Sequence, residues 1–165
     1  MKIKNLMCLF FLIISKISLT DCFYRAGSYY KINPDYLREI AWQESNFDPA
    51  KNKNKDGLFD LGVIQINSQT FNVIKNEYPT LTETDLINHP CLNIHISAMI
   101  LSRNFVSYGK NWLAVGMYNA GMKNTNTLIK NRYHYARKIY QNYQKIKSGK
   151  MNENKIYGSL EEKKS

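Results

Sequence analysis

The chain has 165 residues, a length that suits one folded domain with its own hydrophobic core. Hydrophobic residues make up 44% of it and aromatic residues 13%, a composition that excludes an intrinsically disordered protein. The net charge of +10 suits an anionic polymer or surface, whether a cell wall, a membrane or a nucleic acid, without selecting one of them.

Residues 1–20 have the organisation of a secretory signal peptide. Lys2 and Lys4 supply a positive start, residues 6–14 form an apolar stretch, and small residues allow cleavage after Thr20. The alternative is an uncleaved membrane anchor, for which the apolar stretch is short. We therefore predict that the mature protein is periplasmic or secreted.

The cysteines fit an exported protein. Cys8 lies inside the predicted signal peptide, so the mature chain keeps an even pair, Cys22 and Cys91. In an oxidising compartment such a pair predicts a disulfide. Closing so long a loop would stabilise the fold by roughly 4 kcal/mol. The alternatives are a lipid attached to Cys22 and two free thiols.

Cap and turn signals predict a series of helices. Asn33-Pro34 is a helix start, with Asn as the cap and Pro in the first turn, and this helix runs to about Ser45. Further helices are predicted over 22–30, over 68–78, after the capping-box sequence Thr80–Glu83, from Pro90 to Gly109, over 111–119 and over 125–146.

Two segments lack a helical pattern. Residues 48–60 predict a loop, followed by a small β-hairpin around 61–66. Residues 147–165 are mostly polar and predict a disordered basic tail. The predicted architecture is therefore a single, mainly α domain over residues 21–146.

Glu44 stands out on helical geometry. It lies four residues after Ile40 and seven after Leu37, so it shares their apolar face. Burial there would raise the pKa of its carboxyl group. A carboxylic acid that stays protonated near neutral pH can donate a proton to a glycosidic oxygen. The alternative is that Glu44 turns outward at the helix end and pairs with a lysine.

Signatures of other catalytic chemistries are missing. His89, His95 and His134 are scattered and form no HExxH sequence, and no CxxC pair occurs, which argues against a zinc site. The chain also contains no GxSxG or GxxxxGKS/T sequence, which argues against serine hydrolases and nucleotide-binding enzymes. We predict neither a metal ion nor a cofactor.

Two strings combine small residues with amides: Gly62–Asn67 (GVIQIN) and Gly116–Gly121 (GMYNAG). Small residues let a backbone approach a ligand closely, and amide and phenol groups bond the acetamido and hydroxyl groups of a sugar. Each string alone is also typical of an ordinary turn.

Taken together and in order, these strings resemble the motifs of the soluble lytic transglycosylase family of the lysozyme superfamily. The matching pieces are Glu44-Ser45, Gly62-Val63-Ile64-Gln65, Tyr118-Asn119-Ala120-Gly121 and, in the last helix, Tyr135. The leader and the strings around Cys22 and Cys91 are similar to the small transglycosylases that accompany type III secretion and conjugation machines. The resemblance implies a mainly α, lysozyme-like fold with at most a small β-hairpin.

The resemblance also implies a reaction. The enzyme would cut the β-1,4 bond between N-acetylmuramic acid and N-acetylglucosamine and close a 1,6-anhydro ring, with Glu44 as the sole acid/base. Gly62 would let the backbone approach the sugar, and Tyr133 is a rival to Tyr135. The substrate-binding or orienting residues that it implies are Ser45, Gly62, Gln65, Tyr118, Asn119 and Tyr135.

The implied partner is the glycan strand of peptidoglycan, bound by a monomer, together with components of a type III or type IV secretion or conjugation machine. Nucleic acid is not an expected partner of an exported protein. Two other functions stay open. A hydrolytic lysozyme would need a second carboxylate, for which Asp56 and Asp60 are candidates. A non-catalytic wall-binding secretion accessory would keep the fold without the activity.

Overall fold

The computed structural model describes residues 19–53 and 57–148. These residues form seven helices and three short strands: α1 (Leu19–Tyr30), α2 (Pro34–Ser45), β1 (Lys51–Lys53), β2 (Phe59–Leu61), β3 (Ile66–Asn67), α3 (Ser68–Glu77), α4 (Glu83–Asn88), α5 (Pro90–Tyr108), α6 (Trp112–Ala120) and α7 (Asn126–Lys147). The mainly α fold class is confirmed. The apolar part of the predicted signal peptide, Asp56 and the tail beyond Ser148 lie outside the described residues, and the predicted domain limits stay a prediction.

Local capping determines where α2 begins and ends. The side chain of Asn33 accepts a hydrogen bond from the backbone N–H of Asp35, and Pro34 occupies the first turn. At the other end Asn46 adopts a left-handed backbone with φ 51° and closes the helix. The predicted limits of this helix are confirmed, so Glu44 lies in its last turn.

Two predicted helix starts need correction. The capping box before α4 is formed by Thr82 and Asp85, not by Thr80 and Glu83, because the Thr82 side chain and the Asp85 carboxylate cap each other's backbone N–H groups. The first helix already includes Leu19, the first described residue, so it extends at least three residues before its predicted start, into the predicted signal peptide. Within the described part of the chain, no helix combines the length and apolar character needed to cross a bilayer.

The strands form one antiparallel sheet in the order β1-β2-β3. The hairpin predicted around residues 61–66 is the β2–β3 pair, in which Leu61 lies opposite Ile66. The sheet has one strand more than that hairpin, because residues 51–53, inside the segment predicted as a loop, pair with residues 59–61.

The core has two parts that meet at α5. The larger part lies between α1, α2, α5, α6 and α7, and the smaller one lies beneath the sheet against α3, α4 and α5. Cys22 of α1 and Cys91 of α5 form the predicted disulfide, with a Cα–Cα distance of 5.1 Å. Because α5 contacts both parts, it is the element against which the others are positioned.

Candidate active site

Glu44 faces a cleft between the β-sheet and α7. Two cavities, of about 210 Å³ and about 200 Å³, share Glu44 and Asn119, so they form one cleft with Glu44 at its centre. The sheet side of the cleft is also lined by Leu58, Asp60, Gln65, Asn67, Gln69 and Tyr118. The α7 side is also lined by Gln43, Asn131, His134, Tyr135 and Lys138.

The carboxyl group of Glu44 turns inward, and its Oε1 is buried. Burial raises its pKa, and the negative charge of Asp60 adds to this effect. The polar groups of Tyr135 and Asn119 and the positive charge of Lys138 act in the opposite direction. Because the pKa is raised on balance, Glu44 holds its proton to a higher pH than an exposed glutamate does.

Tyr135 is the aromatic residue that α7 brings to Glu44. Its side chain is 7% exposed, and burial beside Glu44 raises the pKa of its hydroxyl group well above the ordinary value. Neither this hydroxyl group nor Oε1 of Glu44 has a hydrogen-bond partner of normal geometry, although both are buried. Tyr133, the rival residue, is 61% exposed. Tyr135, and not Tyr133, therefore lines the cleft beside Glu44.

The turn between β2 and β3, residues 62–65, carries Gln65 into the cleft. The backbone of Gln65 is left-handed, with φ 48°. Its side-chain Nε2 donates to the carbonyl oxygens of Gly62 at 2.7 Å and Ala50 at 3.1 Å. Its Oε1 accepts from Nδ2 of Asn52 at 2.6 Å. These bonds fix the orientation of the Gln65 amide at the cleft.

Ser45 and Tyr118 hold the same turn from two sides. The Ser45 hydroxyl group donates to the carbonyl oxygen of Val63 at 2.6 Å. The Tyr118 hydroxyl group donates to the carbonyl oxygen of Ile64 at 3.2 Å and lies 3.0 Å from Oγ of Ser97. Ser45 therefore contacts the turn without lining the cleft, whereas Tyr118 does both.

Gly62 is buried behind the cleft. Its φ is 74°, and a Cβ atom there would lie 2.3 Å from Nδ2 of Asn93 and 2.4 Å from the carbonyl oxygen of Leu86. Asn93 accepts a hydrogen bond from the Ile64 backbone N–H at 2.8 Å and donates to the Leu61 carbonyl oxygen at 2.9 Å. The close approach that requires glycine in this structure is thus to the protein itself, and the approach of this backbone to a sugar stays a prediction.

Sequence reasoning missed most of the polar lining of the cleft. Asn131 and Lys138 lie four residues before and three residues after Tyr135, a spacing that places all three on one face of a helix. That spacing was a usable signal. Asn67 ends the amide-bearing string Gly62–Asn67, which the sequence did single out. Gln69 gave no signal, because only the folding of the sheet against α3 brings it to the cleft.

The lining of the cleft is mostly polar. Amides, hydroxyl groups and one buried acid suit hydrogen bonding to hydroxyl and acetamido groups. Among the described residues, no group of three or more His, Cys, Asp or Glu side chains is arranged to hold a metal ion. The described lining of the cleft supplies carboxyl groups, amides, phenols, an imidazole and an ammonium group.

Comparison with known proteins agrees with this geometry. A family model described as "Transglycosylase SLT domain" matches residues 21–141. Invasion protein IagB of Salmonella typhimurium is 40% identical over 128 residues, which cover 77% of this chain and 78% of that protein. The X polypeptide of Escherichia coli is 41% identical over 132 residues, covering 79% and 77%. Protein IpgF of Shigella flexneri is 38% identical over 134 residues, covering 81% and 86%. The chain belongs to the transglycosylase SLT family.

Proposed function

We propose that this protein is a lytic transglycosylase that cuts the β-1,4 bond between N-acetylmuramic acid and N-acetylglucosamine in peptidoglycan. The observation that carries the proposal is the position of Glu44, an acid with a raised pKa at the point where the two halves of the cleft meet. Membership of the family supports the same substrate.

Glu44 acts twice in this reaction. It first gives its proton to the glycosidic oxygen, so that the N-acetylglucosamine leaves as an alcohol while the acetamido oxygen of the muramyl residue bonds to C1. The Glu44 carboxylate then takes the proton of the C6 hydroxyl group. The C6 oxygen bonds to C1 and displaces the acetamido oxygen, which forms the 1,6-anhydro ring without consuming water.

Mass spectrometry of purified peptidoglycan digested by the mature protein tests this proposal. We expect anhydromuramic ends from the wild type and almost none from Glu44→Gln. The matched control is Glu39→Gln, because Glu39 is a buried glutamate of the same helix that does not line the cleft. Loss of products in both variants, or in neither, would contradict the role given to Glu44.

The pH dependence follows from the same group. The first step needs the protonated acid, so activity is present below the raised pKa of Glu44 and is lost as the pH rises through it. Replacing Lys138 by glutamine removes a positive charge that lowers this pKa. We expect the alkaline limb of the activity profile to move to higher pH in that variant. An unchanged limb would show that Lys138 does not affect the pKa of Glu44.

Hydrolysis is the second candidate, because Asp60 lines the sheet side together with Glu44. A lysozyme would use this carboxylate to activate water or to stabilise the charged intermediate. Reducing muramic ends, lost in Asp60→Asn, would establish hydrolysis. Anhydro ends that persist in Asp60→Asn would support the transglycosylase.

We further propose that the protein is exported and opens the wall locally for a secretion or transfer apparatus. The leader and the two cysteines support export, and one relative carries the name "Invasion protein". Terminal sequencing of the exported protein should find Asp21 as its first residue. In the native host, Glu44→Gln should reduce secretion without reducing the amount of exported protein, and unchanged secretion would favour a scaffold role.

A further inference from the structure

The two sides of the cleft differ in charge. The sheet side carries the acidic residue Asp60 together with amides. The α7 side carries Lys138 and His134, and Glu44 is the only acid among its described lining residues. An anionic group of a ligand therefore meets a cation on one side of Glu44 and a carboxylate on the other.

The basic residues of the α7 side are well placed to contact a ligand. His134 and Lys138 are four residues apart on α7, so their side chains are neighbours on the helix surface. Asn131 adds an amide to the same lining. Lys138 is exposed, lines the same cavity as Glu44 and acts on it through its charge, so it can contact a ligand that lies beside Glu44.

Peptidoglycan presents carboxylates on only one of its two sugars. The muramyl residue carries a lactyl group, which ends in a free carboxylate or continues into a peptide that has carboxylates of its own, whereas N-acetylglucosamine is neutral. We propose that Lys138, with Asn131 and His134, binds a carboxylate carried by the muramyl residue on the α7 side. This inference rests on the proposed function, because it assumes a peptidoglycan strand in the cleft.

Binding to chemically defined strands tests the proposal without catalysis. The probes are peptide-bearing strands, amidase-treated strands with free lactyl carboxylates, and methyl-esterified forms of both, and the protein is the mature Glu44→Gln chain with and without Lys138→Gln. Because the Glu44→Gln chain has no charge at this position, Lys138 cannot affect binding through the charge of Glu44. The matched control is Arg137→Gln, which removes an equal charge from an exposed residue of α7 that does not line the cleft.

We expect Lys138→Gln to weaken binding of at least one carboxylate-bearing strand by about two- to fivefold, as for a solvent-exposed ion pair. Binding of the esterified strands should not change, and Arg137→Gln should have no such effect. The strand that loses affinity identifies the source of the carboxylate, peptide or lactyl. A loss shared with the esterified strands, or equal in Arg137→Gln, would overturn the inference. Anhydro products from the active protein would then leave the proposed function intact, whereas their absence would overturn that function separately.

Discussion

Replacing Gly62 with alanine tests whether this glycine is required by packing. Gly57 provides a matched control, because the two glycines have nearly equal φ values of 74° and 76°. A Cβ atom at Gly57 would meet none of the described residues within 4 Å, whereas one at Gly62 would lie 2.3 Å from Asn93. Alanine at either position lowers the free energy of unfolding, because a residue with a Cβ atom disfavours the left-handed backbone. Only at Gly62 does alanine also displace Asn93.

The expected sizes follow from these contacts. A left-handed backbone costs a residue with a Cβ atom about 1 kcal/mol or somewhat more, which is the loss we expect for Gly57→Ala. Moving Asn93 breaks its bonds to Ile64 and Leu61, and each buried group left unpaired adds about 1–3 kcal/mol. We therefore expect Gly62→Ala to lose about 3–7 kcal/mol of unfolding free energy.

Denaturant unfolding of the oxidised protein, followed by tryptophan fluorescence and circular dichroism, measures both losses. The difference between the two variants isolates the contacts that the added Cβ atom would make with Asn93 and with the Leu86 carbonyl oxygen. Equal losses at Gly57 and Gly62 would refute the packing argument and return Gly62 to the role of admitting a sugar. A fully stable Gly62→Ala variant that binds peptidoglycan strands less tightly would show directly that Gly62 makes room for a sugar.

Three further predictions concern other parts of the molecule. Tyr135→Phe should lower the rate of peptidoglycan cleavage at least tenfold, and the exposed Tyr133 should tolerate the same change; equal effects would remove Tyr135 from the site. Burial and the nearby Asp35 raise the pKa of Glu39 to about 7 from 4.5, so stability should fall between these pH values as the pH rises. Glu39→Gln should then be more stable than the wild type at pH 8, by at most about 3 kcal/mol, and the difference should vanish below pH 4.5. Reducing the disulfide should cost roughly 4 kcal/mol in denaturant unfolding, and a much smaller loss would mean that the unfolded chain stays compact without it.

The elements that the sequence predicted well have their signals nearby in the chain. Asn33 and Pro34 act on the first turn of α2 directly, so the start of that helix needs no tertiary information. Strand β1 has no such signal, because its sequence, Lys-Asn-Lys, shows no apolar alternation and its pairing with β2 depends on the backbone. The capping box shifted by two residues because Thr80 and Thr82 offer similar chemistry.

The candidate site divides in the same way. The position of Glu44 followed from helical periodicity, since an apolar stripe on α2 determines which face is buried. The close contact of Gly62 with Asn93 could not be predicted in this way, because Asn93 lies 31 residues away in the chain. The sequence shows that a glycine is present, but only the fold shows which atoms approach it.

The backbone N–H of Ile64 is bonded to a side chain of α5, not to a neighbouring strand or its own turn. It is buried, and its partner belongs to a helix that contacts both parts of the core. We expect such an amide to exchange its hydrogen with solvent only when α5 separates from the turn, an opening that disrupts both parts of the core. The turn of residues 62–65 should therefore be as stable as the domain itself, although it is a loop.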